Sequence, residues 1–127
     1  MIKHVALWTD DLERICAFYQ TYLNAGVGPR YTNPRTGFAS HFLTFAGGAR
    51  IEVMRHPDLQ AVSGERPARA GYAHLAFALG AKTKVDALTA RLERDGYRVV
   101  SGPRTTGDGY YESCVLDPDG NRVELTT

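Results

Sequence analysis

Four side chains in this sequence could together hold a metal ion: His4, Glu52, His74 and Glu124. Each histidine sits inside a short apolar run, "IKHVALW" and "YAHLAFA". Each glutamate sits inside another, "RIEVM" and "RVELT". Two neutral imidazoles and two carboxylates supply two nitrogen and two oxygen donors, with two negative charges to offset a divalent cation. Such a mixed set suits an octahedral ion with two positions left for water or substrate, and nickel, zinc, manganese, cobalt and iron all meet that description. One His on an apolar strand is ordinarily structural, and one Glu facing away from a core is ordinarily solvated. The matched placing of two of each points to chemistry.

That placing follows from an internal repeat. Residues 2–9 alternate as a strand. "DDLERICAFYQTYLN" then puts Leu12, Ile15, Cys16, Tyr19, Tyr22 and Leu23 at helical spacing. Asp10 with Glu13 gives it a capping-box-like start, and Gly26 and Gly28 end it. Residues 29–33 can form a short strand. "FASHFLTFA" (38–46) and "RIEVM" (50–54) read as a hairpin around Gly47-Gly48. Residues 57–70 lose periodicity and collect Pro, Gly and charge, as a linker does. The order then restarts. "YAHLAFAL" is a strand, and "TKVDALTARLERDG" a helix with Val85, Leu88 and Leu92 on one face. "YRVVSG" is a strand, and "YESCVLDPDGNRVELT" a hairpin turning at Asp119-Gly120. Gly48, Arg50, Ile51, Glu52 and Val53 fall on Gly120, Arg122, Val123, Glu124 and Leu125, and His4 falls on His74. The expected architecture is α+β: two βαβββ modules, about 1–56 and 71–127, forming one domain with a half-open, barrel-like sheet and the helices outside.

Strand alternation gives each module two faces. Val5, Leu7, Ile51 and Val53 lie on the parity opposite His4 and Glu52. Leu75, Phe77, Val123 and Leu125 lie opposite His74 and Glu124. The apolar parity should pack on the helices. The other parity carries Trp8, Met54, Tyr72 and Ala76 beside the four polar residues, as a cleft-lining surface would.

Composition removes other classes. The formal net charge of +1 offers no electrostatic case for nucleic acid or an anionic membrane. No apolar run reaches transmembrane length, and Asp10 and Asp11 interrupt any signal-peptide core. Cys16 and Cys114 lack metal or redox spacing and read as small apolar residues, consistent with a cytoplasmic protein.

"HVALWTDDLERICAFYQTYL", "GYAHLAF" and "DPDGNRVEL", in this order, resemble the vicinal oxygen chelate superfamily of glyoxalase I, bleomycin-resistance and extradiol dioxygenase proteins. The resemblance covers essentially the whole chain, and the full His/Glu/His/Glu set is similar to glyoxalase I. It implies one divalent metal per site and a homodimer, with sites completed within a chain or across subunits. It also implies a metal-stabilised enediolate, formed as a hemithioacetal or similar vicinal-oxygen substrate is isomerised. Glu124 is then the first choice for the base and Glu52 the second. "ALWTDD" holds Trp8 where bacterial-type glyoxalase I has a basic residue for glutathione, so the metal chemistry carries over more closely than the thiol. Alternatives are a metal-independent drug- or metabolite-binding protein of the bleomycin-resistance type, and a thiol transferase or dioxygenase with three ligands.

Four further residues are candidates for substrate contact. Trp8 could stack on a substrate, and Met54 lies beside it on the same face. Arg50 and Arg122 share the parity of the glutamates and could steer an anionic substrate or pair with nearby carboxylates. His41 matches Ser113 in the repeat and reads as structural. His56, before Pro57, reads as exposed.

Overall fold

The computed structural model describes residues 1–60, 62 and 64–127, and so leaves residues 61 and 63 of the expected linker outside the described residues. The chain divides into two compact units, residues 1–62 and 63–127. The first contains β1 (Val5–Trp8), α1 (Leu12–Leu23), β2 (Gly26–Val27), β3 (Tyr31–Thr32), β4 (Ala39–Thr44) and β5 (Arg50–Arg55). The second contains β6 (His74–Ala78), α2 (Lys82–Arg94), β7 (Val99–Thr105), β8 (Tyr111–Leu116) and β9 (Arg122–Thr126). The strand order is β1-β5-β4-β2 in one sheet, with β3 also on β4, and β6-β9-β8-β7 in the other. Each is a mixed sheet, and neither closes into a barrel. The short β3 apart, the units share one topology.

The register repeats as well. β1 runs parallel to β5 with Val5 opposite Ile51, and β6 parallel to β9 with Leu75 opposite Val123. The hairpin turns match bond for bond. Gly48 N–H donates to the Phe45 carbonyl, and Gly120 N–H to that of Asp117. Both glycines have positive φ, 83° and 79°, which an L side chain adopts only with strain. In the second turn the Asp117 carboxylate also accepts from the Asp119 and Asn121 backbones, both at 2.9 Å.

The helix ends differ from the sequence reading. Asp11 caps α1, its Oδ1 accepting from Arg14 N–H at 3.0 Å. Asp10 instead pairs with the Arg14 guanidinium at 2.8 Å. Asn24, in the left-handed conformation, closes the helix before either glycine is reached. The buried face of α1 is Leu12, Ile15, Cys16, Phe18 and Tyr19. Phe18 takes the place expected for Tyr22 and Leu23, which are half-buried. In α2, Thr89 is buried beside Val85 and Leu92. Its hydroxyl donates to the Val85 carbonyl and meets Ser113 Oγ, both at 2.6 Å, so a polar residue is satisfied in the core. β7 runs past the expected end through Gly102-Pro103, where the ladder with β8 shifts register. A bulge admits a proline that a regular ladder would exclude.

The apolar parity is buried where strands are internal: Ile51, Val53, Val123 and Leu125 are 5% exposed or less. On the sheet-edge strands β1 and β6 it is only partly covered. Val5 is exposed, and Leu7, Leu75 and Phe77 are half-buried. An edge strand has a neighbour on one side only, so its side chains gain less cover. Both cysteines are free, and burial pushes the Cys16 thiol up to about 11.

Candidate functional site

The repeat delivers the four polar residues as two matched pairs, one in each unit. His4 immediately precedes β1, and Glu52 lies on the neighbouring β5. Their Nε2 and Oε2 atoms are 3.5 Å apart. His74 opens β6, Glu124 lies on β9, and the same atoms are 3.3 Å apart. The geometry has a simple origin. Parallel pairing sets Ala6 opposite Glu52 and Ala76 opposite Glu124. The histidine two residues earlier shares that face and reaches diagonally to the carboxylate. Alanine between them leaves the path clear.

Each pair fits half of a metal's donor set. Two donors bound to one zinc-like ion at about 2.1 Å each lie about 3.0–3.4 Å apart for octahedral to tetrahedral angles. Both pairs fall close to that separation, with imidazole nitrogen and carboxylate oxygen turned toward each other. His4 Nδ1 is buried without a hydrogen-bond partner among the described residues, so the ring's polar interaction is through Nε2. Among the described residues no three His, Cys, Asp or Glu groups gather at one point, so each pair offers two ligands rather than a complete set.

The surroundings of the pairs differ. In the first unit Phe42 is the cross-strand partner of Glu52 and packs edge-on against His4, with ring centroids 5.3 Å apart. The Arg50 guanidinium carbon lies 4.9 Å from the Phe42 ring centroid. Further along the same face, Trp8 is opposite Met54 and remains 48% exposed. His56 meets Trp8 edge-to-face at 4.9 Å, and Phe38 does so at 6.4 Å. His56 is therefore not the exposed residue expected: half-buried, it packs against the indole.

In the second unit, Arg122 lies opposite His74 and donates to Glu65 Oε1 at 2.9 Å. Glu65 also holds Arg98 at 2.7 Å. Cys114 is opposite Glu124, and Glu112 lies two residues earlier on the same strand face. Burial raises the Glu124 carboxyl above its ordinary value. A hydrogen bond with Glu112 adds to the rise, and the nearby His74 opposes it. Glu112 and Phe42 went unnoticed in the sequence because they match Ser40 and Cys114 in the repeat, and a search for matched pairs discards both. Face parity along β4 and β8 was the signal that could have found them. His41 turns to the helix side, its Nδ1 2.8 Å from the Gly28 carbonyl, in the structural role its repeat partner suggested.

The chain belongs to the Glyoxalase/Bleomycin resistance protein/Dioxygenase superfamily, whose family model matches residues 1–125. The uncharacterized protein YqjT of Bacillus subtilis (strain 168) is 43% identical over 130 residues, covering 98% of this chain and 96% of its own. The glyoxylase/bleomycin resistance protein/dioxygenase domain from Frankia sp. EAN1pec superposes with a TM-score of 0.81 at 23% identity, covering 99% of this chain and 95% of that one. Glyoxalase I from Zea mays gives 0.80 at 19% identity, covering 98% of this chain and 43% of that one. At these identities the structural likeness is one of fold. No helix among the described residues is long and apolar enough to cross a membrane.

Proposed function

We propose that this protein is a metal-dependent lyase or isomerase of the glyoxalase I type, acting on a hemithioacetal or another substrate with vicinal oxygens. The observation that carries the reading is the duplicated His–Glu pair, held in the same register and at nearly the same separation in both units. A protein using the fold only to bind a ligand has no need of two such pairs.

His4, Glu52, His74 and Glu124 would hold one divalent ion of the nickel, zinc, manganese, cobalt or iron class. Each pair supplies half of the set, and a homodimer completes it. A bound ion would supply Lewis-acid stabilisation of the negative charge that develops on the substrate as the proton leaves. Glu124 takes the proton from the substrate carbon and returns it to the neighbouring one. Burial and Glu112 favour the protonated carboxyl over the opposing pull of His74, which suits a group that must accept a proton and hold it briefly. Glu52 is the alternative base. Trp8 and Met54 form the wall on which the rest of the substrate lies.

The test is elemental analysis of the purified protein beside a His4→Ala, His74→Ala variant, with turnover assayed in Glu124→Gln. About one metal per site, lost in the double variant, and a fall in turnover on the order of a hundredfold or more in Glu124→Gln are expected. A protein that takes up no nickel, zinc or manganese, and binds its ligand equally well with Gln at 124, is a binding protein instead.

A further inference from the structure

Arg50 and Arg122 occupy equivalent places, each two residues before its glutamate, yet the structure gives them different partners. Arg122 is paired with Glu65 at 2.9 Å, through a carboxylate that also holds Arg98. Arg50 has no carboxylate partner and no hydrogen-bond acceptor among the described residues. It is half-buried, and its charge rests against the Phe42 ring. Phe42 also touches His4 and pairs across strands with Glu52. One aromatic ring therefore holds a guanidinium beside the first His–Glu pair and uses none of its five N–H donors.

We propose that Arg50 recognises a carboxylate carried by the substrate, so that this site prefers anionic over neutral substrates of otherwise equal shape. The inference deepens the functional reading above and rests on it. A guanidinium fork matches a carboxylate in two parallel hydrogen bonds, and partial burial strengthens them. The rest of the face is uncharged: Ala6, Trp8, Phe38 and Met54, with the hydroxyls of Ser40 opposite Met54 and Thr44 opposite Arg50. A single cation on such a face suits one carboxylate, whereas a phosphate dianion calls for more positive charge. Arg122, engaged with Glu65, has a structural role.

The test is a nuclear magnetic resonance titration of the purified protein, as wild type, Arg50→Gln and Arg50→Lys. The probes are 3-(benzylthio)propanoate and its primary amide. Wild type is expected to bind the acid at least tenfold more tightly than the amide, with the Arg50 Nε–H resonance shifting. In Arg50→Gln the two affinities should differ less than twofold while amide binding persists, and Arg50→Lys should fall between. Equal affinities in wild type, a preference that survives Arg50→Gln, or no binding of either probe overturns the proposal. The readout needs no turnover. A carboxylate preference lost with Arg50, in protein that binds no metal, sinks the lyase reading and leaves the anion site standing.

Discussion

His74 Nε2 lies 3.3 Å from Glu124 Oε2, on the sheet face that also carries Glu112 and Cys114. The carboxylate is caught between opposing influences. Burial and the Glu112 carboxyl favour the protonated form, and His74 favours the ionised one; the first two prevail. A folded-state pKa raised above the unfolded value means that the folded chain binds the extra proton. Stability from this group is therefore full at low pH and falls as pH rises from the unfolded carboxylate value through the folded one. Metal-free Glu124→Gln should be more stable than metal-free wild type at pH 7, and the difference should vanish below about pH 4. Urea denaturation at the two pH values measures it. A variant less stable than wild type at pH 7 would show that the ionised carboxylate is well accommodated.

The two hairpin glycines allow a second comparison. Gly48 and Gly120 share a positive φ, but space around them differs. A Cβ on Gly48 meets nothing, whereas one on Gly120 runs into the Gly64 carbonyl oxygen. The segment around Gly64 is held there, with Arg66 Nη2 donating to the Asp119 carbonyl at 3.0 Å. Gly48→Ala should cost about 1–2 kcal/mol, from backbone strain alone. Gly120→Ala should cost at least about 1 kcal/mol more, because backbone must also move. Equal losses in thermal or chemical melts would mean that the linker yields without cost.

Thr89 and Ser113 make a third test. The Thr89 proton goes to the Val85 carbonyl, so Ser113 donates to Thr89. Ser113 is fully buried. Ser113→Ala removes one bond and leaves Thr89 satisfied, at a cost of about 1 kcal/mol. Thr89→Val leaves the Ser113 hydroxyl without a partner among the described residues, at about 1–3 kcal/mol. The double variant should be more stable than Thr89→Val alone, since no orphaned hydroxyl remains. Simple additivity in urea melts would argue that water reaches Ser113.

The order of elements, both hairpin turns and the equivalence of the two modules were legible because strand alternation and turn glycines are local signals. The assignment of one His and one Glu to each module was legible for the same reason, but the parallel pairing of β1 with β5 and of β6 with β9 was not, because a repeat equates modules without fixing the strand order inside one. What was not legible depends on partners distant in sequence. Nothing in "RHPD" announces that His56 turns back onto Trp8, or in "GERP" that Glu65 bridges Arg98 and Arg122. The same holds for Phe42, whose importance comes from touching His4 and Arg50 at once. Thr89 escaped because its hydroxyl looks polar until Val85 and Ser113 are seen to satisfy it.

Each unit offers two donors, and the homodimeric reading has the first pair of one chain completed by the second pair of its partner. A mixing experiment tests that reading. One chain carries His4→Ala and Glu52→Gln, and the other carries His74→Ala and Glu124→Gln. Neither alone can assemble four ligands in any arrangement. In a mixed dimer with shared sites, one site gathers all four substitutions and the other gathers four native residues. Random mixing of subunits in a two-fold dimer then restores about a quarter of wild-type turnover and metal content. Co-expression, with separate tags to isolate the mixed dimer, gives the reading directly. Activity no higher than that of the parent variants would place both pairs of a working site in the same chain.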